Sequence, residues 1–115
     1  MRDTTPRMLK VNSTLREVLA EEIERMSDSR LEMVSITGVE TSPNLRHAIV
    51  YIDLLGADPT DALTALDHAS HRLQSVIARQ VRMKYTPVLE FAVDPGVSGG
   101  ERIDAILRSL HHEEE

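Results

Sequence analysis

An α+β fold, a three-stranded mixed sheet covered by helices, is predicted from three observations. Apolar residues recur at helical spacing in two long stretches and one shorter C-terminal stretch, and three short segments between them carry strand patterns. Turn-forming Ser42-Pro43-Asn44 separates the first two strands, which therefore pair as an antiparallel hairpin. A long helical segment then separates the second strand from the third. Such a crossover is expected to be right-handed and to leave those two strands parallel. The order is helix, strand, strand, long helix or helix pair, strand, helix, and 115 residues suit a single core. Residues 1–110 are read as one domain and 111–115 as a short polar tail.

The first helix is predicted from about Pro6 to Met26, with Val11, Leu15, Val18, Leu19, Ile23 and Met26 at helical spacing. Thr5 before Pro6 suits a cap and first turn, and fraying would move the start to Leu9. A strand follows from Met33 to Glu40, where Gly38 suggests a bulge or close backbone approach. The second strand, Leu45 to Leu55, contains Ala48-Ile49-Val50-Tyr51-Ile52, an almost unbroken apolar run that fits a central position. Asp58 is the expected cap of the next helix, with Pro59 in its first position and Asp61 at the positive end of the helix dipole. Periodicity then runs through Ala62, Leu63, Leu66, Ala69, Leu73, Val76 and Ile77 to about Met83. A helix this long in so small a domain invites a kink near Ala69-Ser70-His71. Thr86-Pro87 ends it and Val88 to Val93 form the third strand. Asp94-Pro95-Gly96 and Gly99-Gly100 read as a flexible loop, and Ile103, Ile106, Leu107 and Leu110 as a closing amphipathic helix. Met33, Leu66, Leu73, Val76, Ile77, Leu89 and Phe91 are expected in the core.

Composition narrows the function. The chain has no cysteine, so disulfides and thiolate metal sites are excluded. The N-terminus has no apolar signal region and no apolar run reaches membrane-spanning length, so a soluble, cytoplasmic protein is expected, without membrane contact. No Ser-His-Asp or Cys-His arrangement, phosphate-binding loop or pocket-forming carboxylate pair is present, which argues against an enzyme, a cofactor or a small-molecule substrate. His68 and His71 share a helical face with Asp67 nearby, but exposed histidines explain that spacing better than a metal site does. His47 stands alone on a strand, and His111-His112 beside Glu113-Glu114-Glu115 lie in the tail. Gly99-Gly100 before a helix could receive an anion, although helix-entry glycines are usually conformational.

Charge is the informative feature. The chain holds 13 Lys+Arg against 19 Asp+Glu, a net charge of -6. Yet His68 to Lys84 contains Arg72, Arg79, Arg82 and Lys84 and no carboxylate. His68, Arg72, Ser75, Arg79 and Arg82 follow at spacings of four, three, four and three, hence one helical face opposite Leu66, Leu73, Val76 and Ile77. A basic stripe backed by an apolar one suits contact with a polyanion. Taken alone, such a stripe is more often a solvated face whose arginines pair with nearby carboxylates. Arg46 on the hairpin is a further candidate, and Arg7, Lys10 and Arg16 form a second patch or simply keep the first helix soluble. One Phe, two Tyr and no Trp leave little for an aromatic platform on which bases stack.

Ser29-Arg30-Leu31 leads into Val34-Ser35-Ile36-Thr37-Gly38-Val39-Glu40, then Ser42-Pro43-Asn44-Leu45 and Ala48-Ile49-Val50-Tyr51-Ile52. Later come Arg79-Gln80-Val81-Arg82-Met83-Lys84-Tyr85-Thr86-Pro87, Leu89-Glu90-Phe91, and Asp94 ahead of Gly100-Glu101-Arg102-Ile103. With the element order, these segments resemble a type II KH domain, an RNA-binding module, and within that class the ribosome-binding factor A family. The resemblance implies a non-enzymatic factor for late maturation of the small ribosomal subunit. It would hold rRNA in the neck region, leave before translation and matter most in the cold. The residues implied in RNA contact are His68, His71, Arg72, Ser75, Arg79, Arg82, Lys84 and Arg46. The partner is the small subunit and its rRNA, and a monomer is expected. The Gly-x-x-Gly loop of RNA-clamping KH domains is absent, and His71 stands where the family's Ala-x-Gly kink has glycine. The competing reading is a protein-interaction module of the same fold without RNA contact.

Overall fold

A computed structural model describes residues 5–98. Helix α1 (Pro6–Arg25) begins where Thr5 Oγ1 accepts a hydrogen bond from the Met8 amide at 3.1 Å, so the Thr-Pro start caps as expected. A single 3-10 turn, Ser29–Leu31, leads into strand β1 (Ser35–Thr41). Strand β2 (His47–Asp53) pairs antiparallel with β1, and strand β3 (Val88–Val93) pairs parallel with β2, giving the order β1-β2-β3 with the apolar strand central. Between β2 and β3 runs helix α2 (Pro59–Gln80), capped by Asp58, which accepts from the Asp61 amide at 3.0 Å. The α1-β1-β2-α2-β3 order and mixed sheet are those predicted.

The core lies between the helices and one face of the sheet. Leu15, Leu19 and Ile23 of α1 and Leu66, Leu73 and Ile77 of α2 close over Ile36, Val39, Ala48, Val50, Ile52 and Leu89. The period-two alternation of β2 sends Ala48, Val50 and Ile52 into that cluster. Asn12 ties α1 to β1, its Oδ1 accepting from the Thr41 amide at 3.0 Å and the Thr41 hydroxyl at 2.6 Å. That satisfies the fully buried Thr41 side chain. The bulge falls where Gly38 suggested it: the β1–β2 register shifts between Ile36 and Gly38.

Four expectations change. Strands β1 and β2 each begin two residues later than predicted, leaving Met33 and Leu45 in the connections. Met33 is consequently 56% exposed rather than core. Helix α2 passes through Ala69-Ser70-His71 as one uninterrupted element of 22 residues instead of a helix pair. His71 keeps a helical backbone; among the described residues positive φ occurs at Leu45, Leu55 and Gly56. Finally, Pro95–Ser98 forms a single helical turn, α3, opened by the Gly96 amide bonding Asp94 Oδ1 at 2.8 Å. Gly99-Gly100, the predicted closing helix and the tail from His111 to Glu115 lie outside the described residues.

Candidate nucleic-acid interface

Helix α2 buries Leu66, Leu73, Val76 and Ile77 and leaves His68, His71, Arg72, Ser75 and Arg79 exposed, as the periodicity implies. Arg82 does not extend that stripe. The helix ends at Gln80, and Val81 adopts an extended backbone while its amide still bonds the Ile77 carbonyl at 2.8 Å. Arg82 and Lys84 therefore sit on the connection that carries the chain toward β3, and their directions are set by that turn rather than by helical phase. The Gln74 side chain holds this connection to α2 by donating to the Pro87 carbonyl at 3.0 Å.

Ion pairing sorts the cations into two groups. Arg25 bonds Glu21 at 2.7 Å and Arg30 bonds Asp28 at 2.7 Å. Arg30 holds the Asp28 carboxyl down at about 2, chiefly through their side-chain hydrogen bonds. Arg72, the centre of the predicted stripe, turns one edge toward α1: its Nε and Nη2 meet Glu22 Oε2 at 3.0 and 2.9 Å. The Glu22 side chain is only 9% exposed and that of Arg72 58%, so the arginine bridges a sunken carboxylate to solvent. Sequence reasoning missed this pair. The signal was there, because Glu22 lies seven residues after Leu15 and three after Leu19, on the apolar seam of α1, where a carboxylate needs a partner.

The second group, Arg7, Lys10, Arg16, Arg46, Arg79, Arg82 and Lys84, makes no ion pair with a carboxylate among the described residues. Three of these line one groove of about 820 Å³ where the start of α1, the hairpin turn and the segment after α2 converge. Arg7, Arg82 and Lys84 line it together with Met8, Val11, Leu45 and Met83, and none of the described residues lining the groove is a carboxylate. Nor does the first turn of α1 carry an acidic residue to offset its positive helix end. Next to it, the Arg46 guanidinium lies 4.0 Å from the centre of the Tyr85 ring, with Lys84 Nζ at 5.5 Å. The backbone explains that stack, since the Arg46 carbonyl accepts from the Val88 amide at 2.8 Å and draws the start of β2 against residues 84–88. The structure thus places Arg82, Lys84 and Arg46 with Arg7 of the second patch, while His68 and Arg72 share a separate depression with Asp28.

Comparison with known proteins accords with this architecture. The ribosome-binding factor A family model matches residues 7–107. A ribosome-binding factor A from Rubrobacter xylanophilus is 41% identical over 110 residues, covering 94% of this chain and 90% of the relative. The crystal structure of ribosome-binding factor A from Thermus thermophilus superposes with a TM-score of 0.72 at 34% identity, over 75% of this chain and 94% of that one. A Thermus thermophilus ribosome binding factor A homology model, fitted into the cryo-EM map of a 30S complex, has a TM-score of 0.63 at 34% identity and covers 73% of this chain and 91% of its own.

Proposed function

The chain belongs to the ribosome-binding factor A family, and from that premise we propose that it binds the immature small ribosomal subunit and its rRNA, promoting late maturation and rRNA processing. It acts as a monomeric, non-enzymatic assembly factor in the cytosol. The complex formed by the Thermus thermophilus relative supports the choice of partner.

The observation that carries the rRNA contact is the sorting of cations. In a chain of net charge -6, Arg25, Arg30 and Arg72 are paired with carboxylates. Arg7, Arg46, Arg82 and Lys84 make no ion pair among the described residues and gather around one region, which gives an otherwise repelling molecule a local anion-attracting surface. Arginine suits this task because its planar fork donates two hydrogen bonds to one phosphate. Arg79 and the exposed His68, His71 and Ser75 extend the contact along α2, and Arg72 joins it through the edge that Glu22 does not occupy.

A compact domain held against folded RNA shifts the balance between two RNA conformations by its differential affinity for them. That effect is greatest in the cold, where RNA leaves misfolded states slowly. The sequence holds no nucleotide-triphosphate motif to drive dissociation, so release follows completion of the rRNA fold or arrival of another factor.

Co-sedimentation of the purified protein with separated small and large subunits, at low and at moderate salt, tests the reading. Pelleting with small subunits alone, weakened by salt, is the expected result. Binding that ignores salt would favour a protein partner, and no binding even at low ionic strength would defeat the proposal.

A further inference from the structure

The groove between the start of α1 and the segment after α2 has a composition that phosphate binding alone does not require. Its floor is aliphatic, made by Met8, Val11, Leu45 and Met83, and its rim is cationic, made by Arg7, Arg82 and Lys84. Leu45 has φ +63°, in the left-handed region that glycine and asparagine favour and a γ-branched side chain does not. The turn does not need leucine: Leu45 contributes its amide to the Ser42 carbonyl at 2.8 Å, a bond that any residue other than proline supplies. Leu45 is half-buried and lines the groove, so the chain presents an aliphatic residue there although the turn itself does not require one.

Resting on the rRNA-binding reading above, we propose that this groove receives an unpaired nucleotide of single-stranded rRNA. The base lies against Leu45, Met8 and Val11, and the flanking phosphates meet Arg7, Arg82 and Lys84. Charge complementarity selects the occupant, because the described residues lining the groove include three cations and no carboxylate. The aliphatic floor selects an exposed base over a duplex, whose bases present no open face. The neighbouring Arg46–Tyr85 stack continues the surface, the outer face of the guanidinium being a platform for the next base.

The test compares the whole protein with its Leu45→Asn variant, and separately with an Arg82→Gln, Lys84→Gln variant. Fluorescence anisotropy follows binding to oligoadenylate, an abasic ribose-phosphate chain of equal length, an RNA duplex and polyglutamate. Asparagine tolerates the left-handed backbone, so Leu45→Asn should melt no lower than the parent. It should lose about 5- to 50-fold in affinity for oligoadenylate and nothing for the abasic chain. The paired cation variant should lose affinity for both. Equal loss on both chains in Leu45→Asn, or no loss on either, overturns the base contact. Duplex binding as tight as single-strand binding overturns the specificity for unpaired RNA, and preference for polyglutamate makes the groove a peptide site instead. Subunit co-sedimentation of the parent protein, run in parallel, separates the two levels. Its failure removes the ribosomal function, whereas success beside an unaffected Leu45→Asn variant removes this inference alone.

Discussion

Arg72 illustrates how far a single residue's role depends on its neighbour across the fold. On a helical wheel it is the middle of a basic stripe; in the structure it is the counter-ion of Glu22, with one hydrogen bond from Nε and an Nη2 contact to the same carboxylate oxygen. Replacing Arg72 by Ala leaves that sunken carboxylate with Arg25 at 3.8 Å as its nearest ion-pair partner and should cost about 1–2 kcal/mol, less than a fully buried pair because Arg72 itself is half in water. Adding Glu22→Gln should recover part of the loss. Urea denaturation of the parent, the two single variants and the double variant measures the coupling, and four equal midpoints would show the pair to be a surface contact of no consequence. Glu22 was legible as an anomaly on an apolar seam. Its partner was not, because the two residues lie 50 positions apart and only the packing of α1 against α2 joins them.

Among the elements, α2 is the one whose form was left between two alternatives, a long helix or a helix pair, and it is a single helix. Small Ala69 and Ser70 permit a break in the middle of the helix, but nothing in the local sequence requires one. His71 lacks the glycine freedom that a left-handed junction uses. The helix therefore continues, held by Ala65, Leu66, Leu73, Val76 and Ile77 packed in one line into the core. If this account of α2 is right, His71→Gly lowers helix propensity at an exposed position without creating a better junction. The cost should be roughly 0.5 kcal/mol, a fall of about 2–4 °C in melting temperature followed by circular dichroism. A rise would mean that the position prefers a glycine-permitted conformation. At its other end α2 shows why phase arguments fail past a helix terminus. Arg82 was placed on the stripe by counting in threes and fours, and the count lost meaning when Val81 turned extended.

For the whole molecule, the balance between net charge and local charge decides behaviour. Replacing Arg79, Arg82 and Lys84 by Gln removes cations that no carboxylate among the described residues holds, and should flatten log K against log salt for small-subunit binding by roughly two to three units. Arg72→Gln should flatten it less, since Glu22 already neutralises much of that charge. Sedimentation assays over a salt series provide the slopes, and equal effects of Arg72 and Arg82 would contradict the sorting of cations described above. The sheet and helix order were readable beforehand because they follow from local patterning: helical recurrence in α1 and α2, the apolar run of β2, and the Thr5-Pro6 and Asp58-Pro59 starts. Met33 was misjudged for a related reason. An apolar residue next to a strand looks like core until the strand's first hydrogen bond is known, and here that strand starts at Ser35.

Local chemistry written along the chain was thus sufficient for the kinds of element, their sequence and the parallel or antiparallel sense of their pairing, since caps, turns and apolar periods act over a few residues. Which cations lack an ion pair among the described residues, and that Arg7 meets Arg82 and Lys84 beside aliphatic side chains, depended on contacts between segments some 75 positions apart. Such contacts arise only when helices close over the sheet, and no spacing rule encodes them.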